Sequence, residues 1–161
     1  MDYQISYHTA KEGKAWASRI WSALDERHRR TLFYDTEDTM KLEMFHRALA
    51  GCDIFGVATQ GHDVLAIAWV GRIVPHSRCA YAHFAYIDKP IDEITAEFLT
   101  GIQSLHIYDS ILTVEPLSYR GARAHAIRHG FKVLAQIPGL IVWANKRRTP
   151  STGVLLYKDL R

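Results

Sequence analysis

The segment "EPLSYRGARAHAIRHGFKVLAQIPG", residues 115–139, is the part of this sequence that is most informative about its fold. A strand pattern stops at Pro116, and a helical pattern follows that begins at Ser118 and ends at Gly130. Glycine in that place suits the left-handed backbone conformation that terminates many helices. A second strand pattern starts directly after the glycine. The stretch therefore predicts a strand–helix–strand unit whose helix carries arginine and histidine side chains.

The side chains of this helix leave four interpretations: a nucleic-acid-binding helix, a metal-binding helix, a phosphate-binding loop, or a helix that closes a cofactor cleft. A net charge of +3 and the lack of a base-stacking motif argue against nucleic acid. His125 and His129 have the i, i+4 spacing of a metal-binding pair, but no third ligand lies nearby in the sequence, so we expect no metal. If "YRGARA" were the phosphate-binding loop, a helix would have to follow Gly130, where only strand patterns remain. We therefore interpret the helix as one that closes a cleft.

The composition favours a single domain that spans residues 1–161. Hydrophobic residues make up 48% of the chain and aromatic residues 11%, which is enough for a full core and argues against disorder. The N-terminal residues lack the apolar stretch of a signal peptide, and no apolar run reaches the roughly 18 residues of a membrane span. We therefore expect a soluble, cytoplasmic protein.

Periodicity outside the opening stretch predicts the remaining elements. Strand patterns cover residues 3–8, 52–59, 64–74, 79–87, 110–116, 131–139 and 152–160. Helical patterns cover residues 12–30, 34–51, 89–105 and 117–130. The predicted order is β-α-α-β-β-β-α-β-α-β-β. Three consecutive strands followed by crossover helices predict an α/β domain of the α+β type, with a mixed sheet and helices on both faces.

The two cysteines are expected to be free thiols. Cys52 opens one predicted strand, and Cys79 opens the strand two places along the predicted sheet. Two strand spacings separate them by roughly 9–10 Å. A disulfide needs Cα atoms within about 7 Å, so the predicted sheet keeps the two thiols apart.

The element order and the 115–139 stretch resemble the GNAT superfamily of acyl-CoA-dependent N-acyltransferases. Ala122 falls where that family has a small residue, and Gly130-Phe131 matches the Gly-Phe pair that opens the family's next strand. The segment "AHFAYI" on the central strand and the short C-terminal strand are also similar to small GNAT-like proteins encoded by bacteriophages. The resemblance implies transfer of an acyl group, most often acetyl, from acetyl-CoA as co-substrate to an amine.

The resemblance also implies where acetyl-CoA would bind. The cofactor would lie in a split between the strand over 79–87 and the strand over 110–116, with the pantetheine arm on backbone groups of the first strand. The residues implied in cofactor binding are Tyr86, Ile87, Lys89, Ser118, Arg120 and Arg123. For Arg120 and Arg123, a solvated helix face is the alternative to a contact with a cofactor phosphate or an acidic substrate.

Candidate catalytic groups lie on the same elements. His83, in the middle of the central strand, is a candidate general base, since imidazole titrates near working pH. A hydrogen-bonded core histidine is the alternative. Glu115 is a candidate base or substrate anchor, or a structural residue at a strand end before Pro116. The Tyr119 hydroxyl is a candidate general acid, as is that of Tyr86.

Phe33 and Tyr34 are the candidate contacts for the acceptor substrate. They lie in the loop that shapes the acceptor pocket in the family. A place in the core is the alternative for the nearby tryptophans. The basic segment "NKRR", residues 145–148, is either a solvated loop or a contact for a nucleic acid or an acidic partner. Nothing in the sequence names the acceptor, which is a small-molecule or protein amine.

Two departures from the family support a second hypothesis. The family's glycine-rich phosphate turn, Q/R-x-x-G-x-G/A, is replaced by "YIDKPIDEITAEF", residues 86–98, which has no glycine and places acids at a helix start that would hold pyrophosphate. The family's catalytic tyrosine falls at Ala126, and its helix-start asparagine falls at Tyr119. The alternative is therefore a GNAT-fold protein without catalysis that acts through a protein partner. Its place would be structural, as in a phage particle or in head assembly, and such a protein would be virion-associated.

Overall fold

The structure is a computed structural model that describes residues 2–25, 29, 42–88, 90–142 and 150–161. Phe33, Tyr34, Lys89 and the basic segment 145–148 lie outside the described residues. None of the helices in the described part of the chain is long and apolar enough to cross a membrane.

In the described residues, seven strands and four helices follow each other in the predicted order. The strands are β1 (Gln4–Thr9), β2 (Ile54–Gln60), β3 (Asp63–Arg72), β4 (Cys79–Tyr86), β5 (Ser110–Pro116), β6 (Lys132–Val142) and β7 (Pro150–Asp159). The helices are α1 (Gly13–Ala23), α2 (Leu42–Ala50), α3 (Asp92–Ser104) and α4 (Arg120–Arg128), and a 3-10 turn, Ala10–Glu12, precedes α1. The predicted fold class, a mixed sheet with helices, is confirmed.

Helix ends differ from their predictions by a few residues. The helix predicted over 12–30 ends earlier, because Leu24 has the extended backbone conformation (φ −89°, ψ 131°). The helix predicted to begin at Ser118 begins at Arg120, because the Tyr119 N–H donates to Pro116 O at 2.9 Å and forms a turn first. The predicted helix-ending glycine is confirmed, since Gly130 has a φ of +86°.

The strands form one sheet in the order β1-β2-β3-β4-β5-β7-β6. Helices α1 and α2 cover one face, where Ile20 and Phe45 pack with Phe55, Ile67 and Trp69 of the sheet. Helix α3 covers the other face, and α4 lies on that face beside it. Small and large apolar residues alternate along β2–β4 and point to both faces of the sheet, so both faces are buried.

The sheet is divided between β4 and β5. These two strands run parallel and pair only at Cys79↔Ser110, Ala80↔Ile111 and Tyr81↔Leu112. Beyond that point β4 continues beside β3, whereas β5 continues beside β7 up to Pro116. The two strands therefore diverge, and the edge of β4 after Tyr81 faces a V-shaped split instead of a strand.

The expectation of two free thiols is confirmed. Cys52 is buried, and its Sγ donates to Leu49 O at 3.0 Å. Burial raises the pKa of the Cys52 thiol to about 11, so this group is neutral at physiological pH.

Candidate functional site

A cavity occupies the split between β4 and β5. Phe84 and Tyr86 of β4 and Thr113 of β5 form two walls, and Ala122 and Ala126 of α4 form a third. The small side chains of Ala122 and Ala126 leave room for the cavity, because a larger side chain at either position would fill it. The helix in the 115–139 stretch thus closes the cleft, as its sequence predicts.

Backbone groups on the open edge of β4 are available along one side of the cavity. Ile87 donates its N–H to Leu65 O of β3 at 3.0 Å, so this amide is not available to a ligand. Alternate residues of a strand direct their backbone groups to opposite neighbours. Phe84 and Tyr86 therefore direct their backbone groups away from β3, towards the split. Of the predicted pair Tyr86 and Ile87, Tyr86 has the orientation that a pantetheine arm would need.

His83 borders the cavity but faces the layer of α1 and α2. It is 7% exposed, and its ring stacks on Trp69 with 4.1 Å between ring centroids and 18° between ring planes. Trp69 in turn meets Phe45 of α2 edge-on at 6.1 Å. This aromatic stack fixes the imidazole plane at the point where β5 leaves β4.

Glu115 and Tyr119 lie on the opposite wall of the same cavity. Burial raises the pKa of Tyr119, and the nearby charge of Glu115 raises it further, so the phenol stays protonated at physiological pH. Burial also raises the pKa of Tyr86 to about 12. The structure therefore brings the predicted His83, Tyr86, Glu115 and Tyr119 to one cavity, where the two tyrosines supply neutral hydroxyls.

The predicted phosphate contacts on α4 lie elsewhere. Arg123 donates to Pro116 O at 3.0 Å and also to Leu117 O, so its guanidinium ties the start of α4 to the end of β5. Ser118 and Arg120 are exposed beside the helix start and are not part of the cavity lining. The structure does not bring these three residues together with His83 and Tyr86.

A polar cluster at the start of α3 borders the cavity, and no local sequence pattern predicts it. The Asp92 carboxylate is 3.1 Å from His125 Nδ1 and 2.9 Å from His129 Nε2, and Arg128 Nη2 is 3.4 Å away. The hydrogen bond from His129, followed by the charge of Arg128, lowers the pKa of Asp92. Burial lowers the pKa of His125, with the neighbouring His129 as the next cause.

This cluster is joined to the cavity wall by hydrogen bonds. Thr95 Oγ1 is 2.8 Å from His125 Nε2 and also contacts the Tyr86 hydroxyl. The position of Asp92 is the first residue of α3, where the partial positive charge of a helix N-terminus favours an anion. A protein carboxylate thus occupies the place where the GNAT resemblance puts a cofactor pyrophosphate.

The chain is similar to known proteins in structure but not detectably in sequence. No profile of a known protein family matches the chain, and no curated protein is detectably similar in sequence. Solved structures, in contrast, superpose over the whole chain. The N-acetyltransferase from Staphylococcus aureus Mu50 has a TM-score of 0.72 at 19% identity and covers 99% of both chains.

Two further structures give the same picture. An acetyltransferase of the GNAT family from Streptococcus pneumoniae has a TM-score of 0.66 at 11% identity, covering 98% of this chain and 99% of its own. The putative acetyltransferase yncA from Salmonella typhimurium was solved with its cofactor acetyl-CoA. It has a TM-score of 0.68 at 12% identity, and the superposition covers 100% of this chain and 95% of its own. The split sheet, the helices on both faces and these superpositions agree: this chain has the fold of the GNAT N-acetyltransferases.

Proposed function

We propose that the protein transfers an acyl group, most simply acetyl, from its CoA thioester to an amine. The observation that carries this proposal is the split between β4 and β5, where β4 directs the backbone groups of Phe84 and Tyr86 towards a cavity. An extended pantetheine arm is the kind of ligand that pairs with such an edge, since it carries amide groups along its length. Acetyl-CoA in the structure of the Salmonella neighbour supports the choice of co-substrate.

The side chains at the cavity support a direct transfer. The acceptor amine attacks the thioester carbonyl, and His83 takes a proton from the nitrogen. The tetrahedral adduct then collapses, the C–S bond breaks, and the departing thiolate takes a proton from Tyr119 or Tyr86. Since His83 faces α1 and α2, the acceptor would approach from that layer, opposite α3 and α4. Much of the rate enhancement would come from holding the two substrates in line.

The second candidate is a GNAT-fold protein that has lost transfer and acts through a protein partner, in a cytoplasmic or a virion-associated setting. Two observations favour it. Asp92 places a negative charge at the start of α3, against a pyrophosphate. Ala126 lines the cavity at the position where the family has its proton-donating tyrosine. This candidate predicts a folded protein in which amines cause no release of CoA.

The experiment that separates the two candidates is an acetyl-transfer assay with a panel of amines that includes peptide N-termini. We expect amine-dependent release of CoA thiol from acetyl-CoA by the wild-type protein. In Ala122→Trp the indole would fill the cleft wall, and we expect the release to fall to background with the melting temperature little changed. Ile127→Trp is the matched control, because Ile127 is 51% exposed on the same helix. Equal release by wild type and Ala122→Trp, or no amine-dependent release with any amine, would contradict the proposal.

A further inference from the structure

The cluster at the start of α3 contains the three ligands of a metal site, drawn from two helices. Asp92 is the first residue of α3, and His125 and His129 lie one turn apart on α4. The ligand atoms, one from each side chain, all lie within 4.8 Å of one another. Ligand atoms of a tetrahedral zinc site, with bonds of roughly 2.0–2.1 Å, are separated by about 3.3 Å. Distances of 3.1 Å and 2.9 Å from Asp92 Oδ1 to the two imidazole nitrogens approach that spacing without backbone movement.

Contacts on both sides hold the ring of His125 in place. Thr95 Oγ1 donates to Ile91 O at 2.9 Å, lies 2.8 Å from His125 Nε2 and also contacts the Tyr86 hydroxyl. With the ring proton on Nε2, towards Thr95, Nδ1 is the nitrogen that would coordinate an ion beside Asp92 Oδ1, which lies 3.1 Å away. Metal-binding histidines characteristically donate their second ring nitrogen to a fixed acceptor in this way.

The two histidine side chains of the site are mostly buried, whereas the aspartate is exposed. The side chains of His125 and His129 are only 8% and 12% exposed, whereas that of Asp92 is 57% exposed. The two imidazoles are thus held by packing, and the carboxylate provides access from solvent. Within the described residues, no other group of histidine, cysteine and acidic side chains is brought together in this way.

Arg128 already supplies a positive charge at this place. Its Nη2 is 3.2 Å from His125 Nδ1 and 3.4 Å from Asp92 Oδ1. The Arg128 side chain is 59% exposed, and exposed ion pairs of this kind contribute little stability. A divalent cation would displace the guanidinium to solvent and would replace the contacts of Asp92 Oδ1 with Arg128 and His129 by three coordination bonds, with the ring proton of His129 moving from Nε2 to Nδ1.

We propose that Asp92, His125 and His129 form a binding site for a divalent transition-metal ion of the Zn²⁺ class. Two imidazole nitrogens and one carboxylate oxygen are the donor set that zinc accepts, whereas Mg²⁺ and Ca²⁺ prefer oxygen ligands. Three protein ligands leave a coordination position for water or for a further ligand. Because His125 also lines the cavity between β4 and β5, the ion would lie at the rim of the cleft. The site requires neither acyl-CoA nor catalysis.

Metal binding is tested on the full chain after treatment with a chelator. Titration with Co²⁺ is expected to give visible d–d absorption that saturates at one ion per chain, and Zn²⁺ is expected to displace it. Asp92→Asn and His129→Ala are each expected to weaken binding by about tenfold or more, since changes to metal shells have effects of at least that order. His62→Ala is the matched control, because His62 is an exposed histidine in a turn between β2 and β3.

Arg128→Ala distinguishes the metal site from a purely structural cluster. If the guanidinium competes with the ion, its removal tightens Co²⁺ and Zn²⁺ binding. The melting temperature gives a second readout, since Zn²⁺ should raise it in the wild type and not in folded His129→Ala. The proposal is overturned if the wild type binds neither ion at millimolar concentration, if His62→Ala loses binding as His129→Ala does, or if Arg128→Ala binds more weakly.

Discussion

Replacement of Phe98 by alanine is expected to lower the free energy of unfolding by about 3–5 kcal/mol, the usual cost of removing a fully buried phenylalanine ring. Phe98 of α3 is 0% exposed and packs with Ala58, Ala66 and Ala68 of the sheet. A Cβ atom added to Gly56 of β2 would lie only 2.7 Å from its ring. The ring fits a sheet surface made of small residues, so its removal would leave a cavity there.

The measurement for this prediction is thermal or denaturant unfolding. For a domain of this size each kcal/mol corresponds to about 2–4 °C, so the midpoint is expected to fall by about 6–20 °C. Met44→Ala is the matched control, because Met44 is 43% exposed on α2 and its truncation should change stability by less than about 0.5 kcal/mol. Equal effects of the two truncations would contradict the packing of α3 on the sheet described above.

Replacement of His83 by alanine is expected to lower kcat/KM for amine acetylation by about 10²–10⁴-fold, the range for loss of a general acid or base. The prediction applies to the proposed transfer reaction, and it is measured with an amine that supports CoA release. Affinity for acetyl-CoA is expected to stay unchanged, because the imidazole faces Trp69 and the α1–α2 layer while the cofactor would follow the β4 edge.

His83→Gln separates proton transfer from packing. Glutamine fills much of the space against Trp69 and keeps hydrogen-bonding capacity, but it has no base that titrates near neutral pH. If His83 acts as the base, His83→Gln should be as slow as His83→Ala and nearly as stable as the wild type. Wild-type rates in His83→Gln would show that the residue is a core histidine, which is the alternative interpretation of its position. His62→Ala serves as the control for loss of a histidine at the surface.

The fold was accessible from the sequence because its signals are local. The helical spacing that ends at Gly130 and the strand patterns on both sides are properties of short stretches, and Gly130 does adopt a positive φ. The order of elements then limits the topology to a mixed sheet with helices on both faces. Helix ends were less accessible, since the turn at Tyr119 depends on a backbone hydrogen bond to Pro116.

The site was accessible only in part. The family pattern points to His83, Glu115 and Tyr119, and these residues do border one cavity. The orientation of the Ile87 amide depends on the register of β3 and β4, which periodicity does not reveal. The contact of Asp92 with His125 and His129 joins two helices that lie far apart along the chain, so no local spacing indicates it.

Binding of acyl-CoA in the split between β4 and β5 can be measured by thermal unfolding of the purified protein and of Ala122→Trp, each with and without acetyl-CoA. A ligand at about 100 times its dissociation constant adds roughly 2.7 kcal/mol of stability. At about 2–4 °C per kcal/mol, we expect the midpoint of the wild type to rise by about 5–11 °C. The midpoint of Ala122→Trp should not change, because its cleft is filled. No shift of the wild type at millimolar acetyl-CoA, or an equal shift in both proteins, would contradict binding of acyl-CoA in the split between β4 and β5.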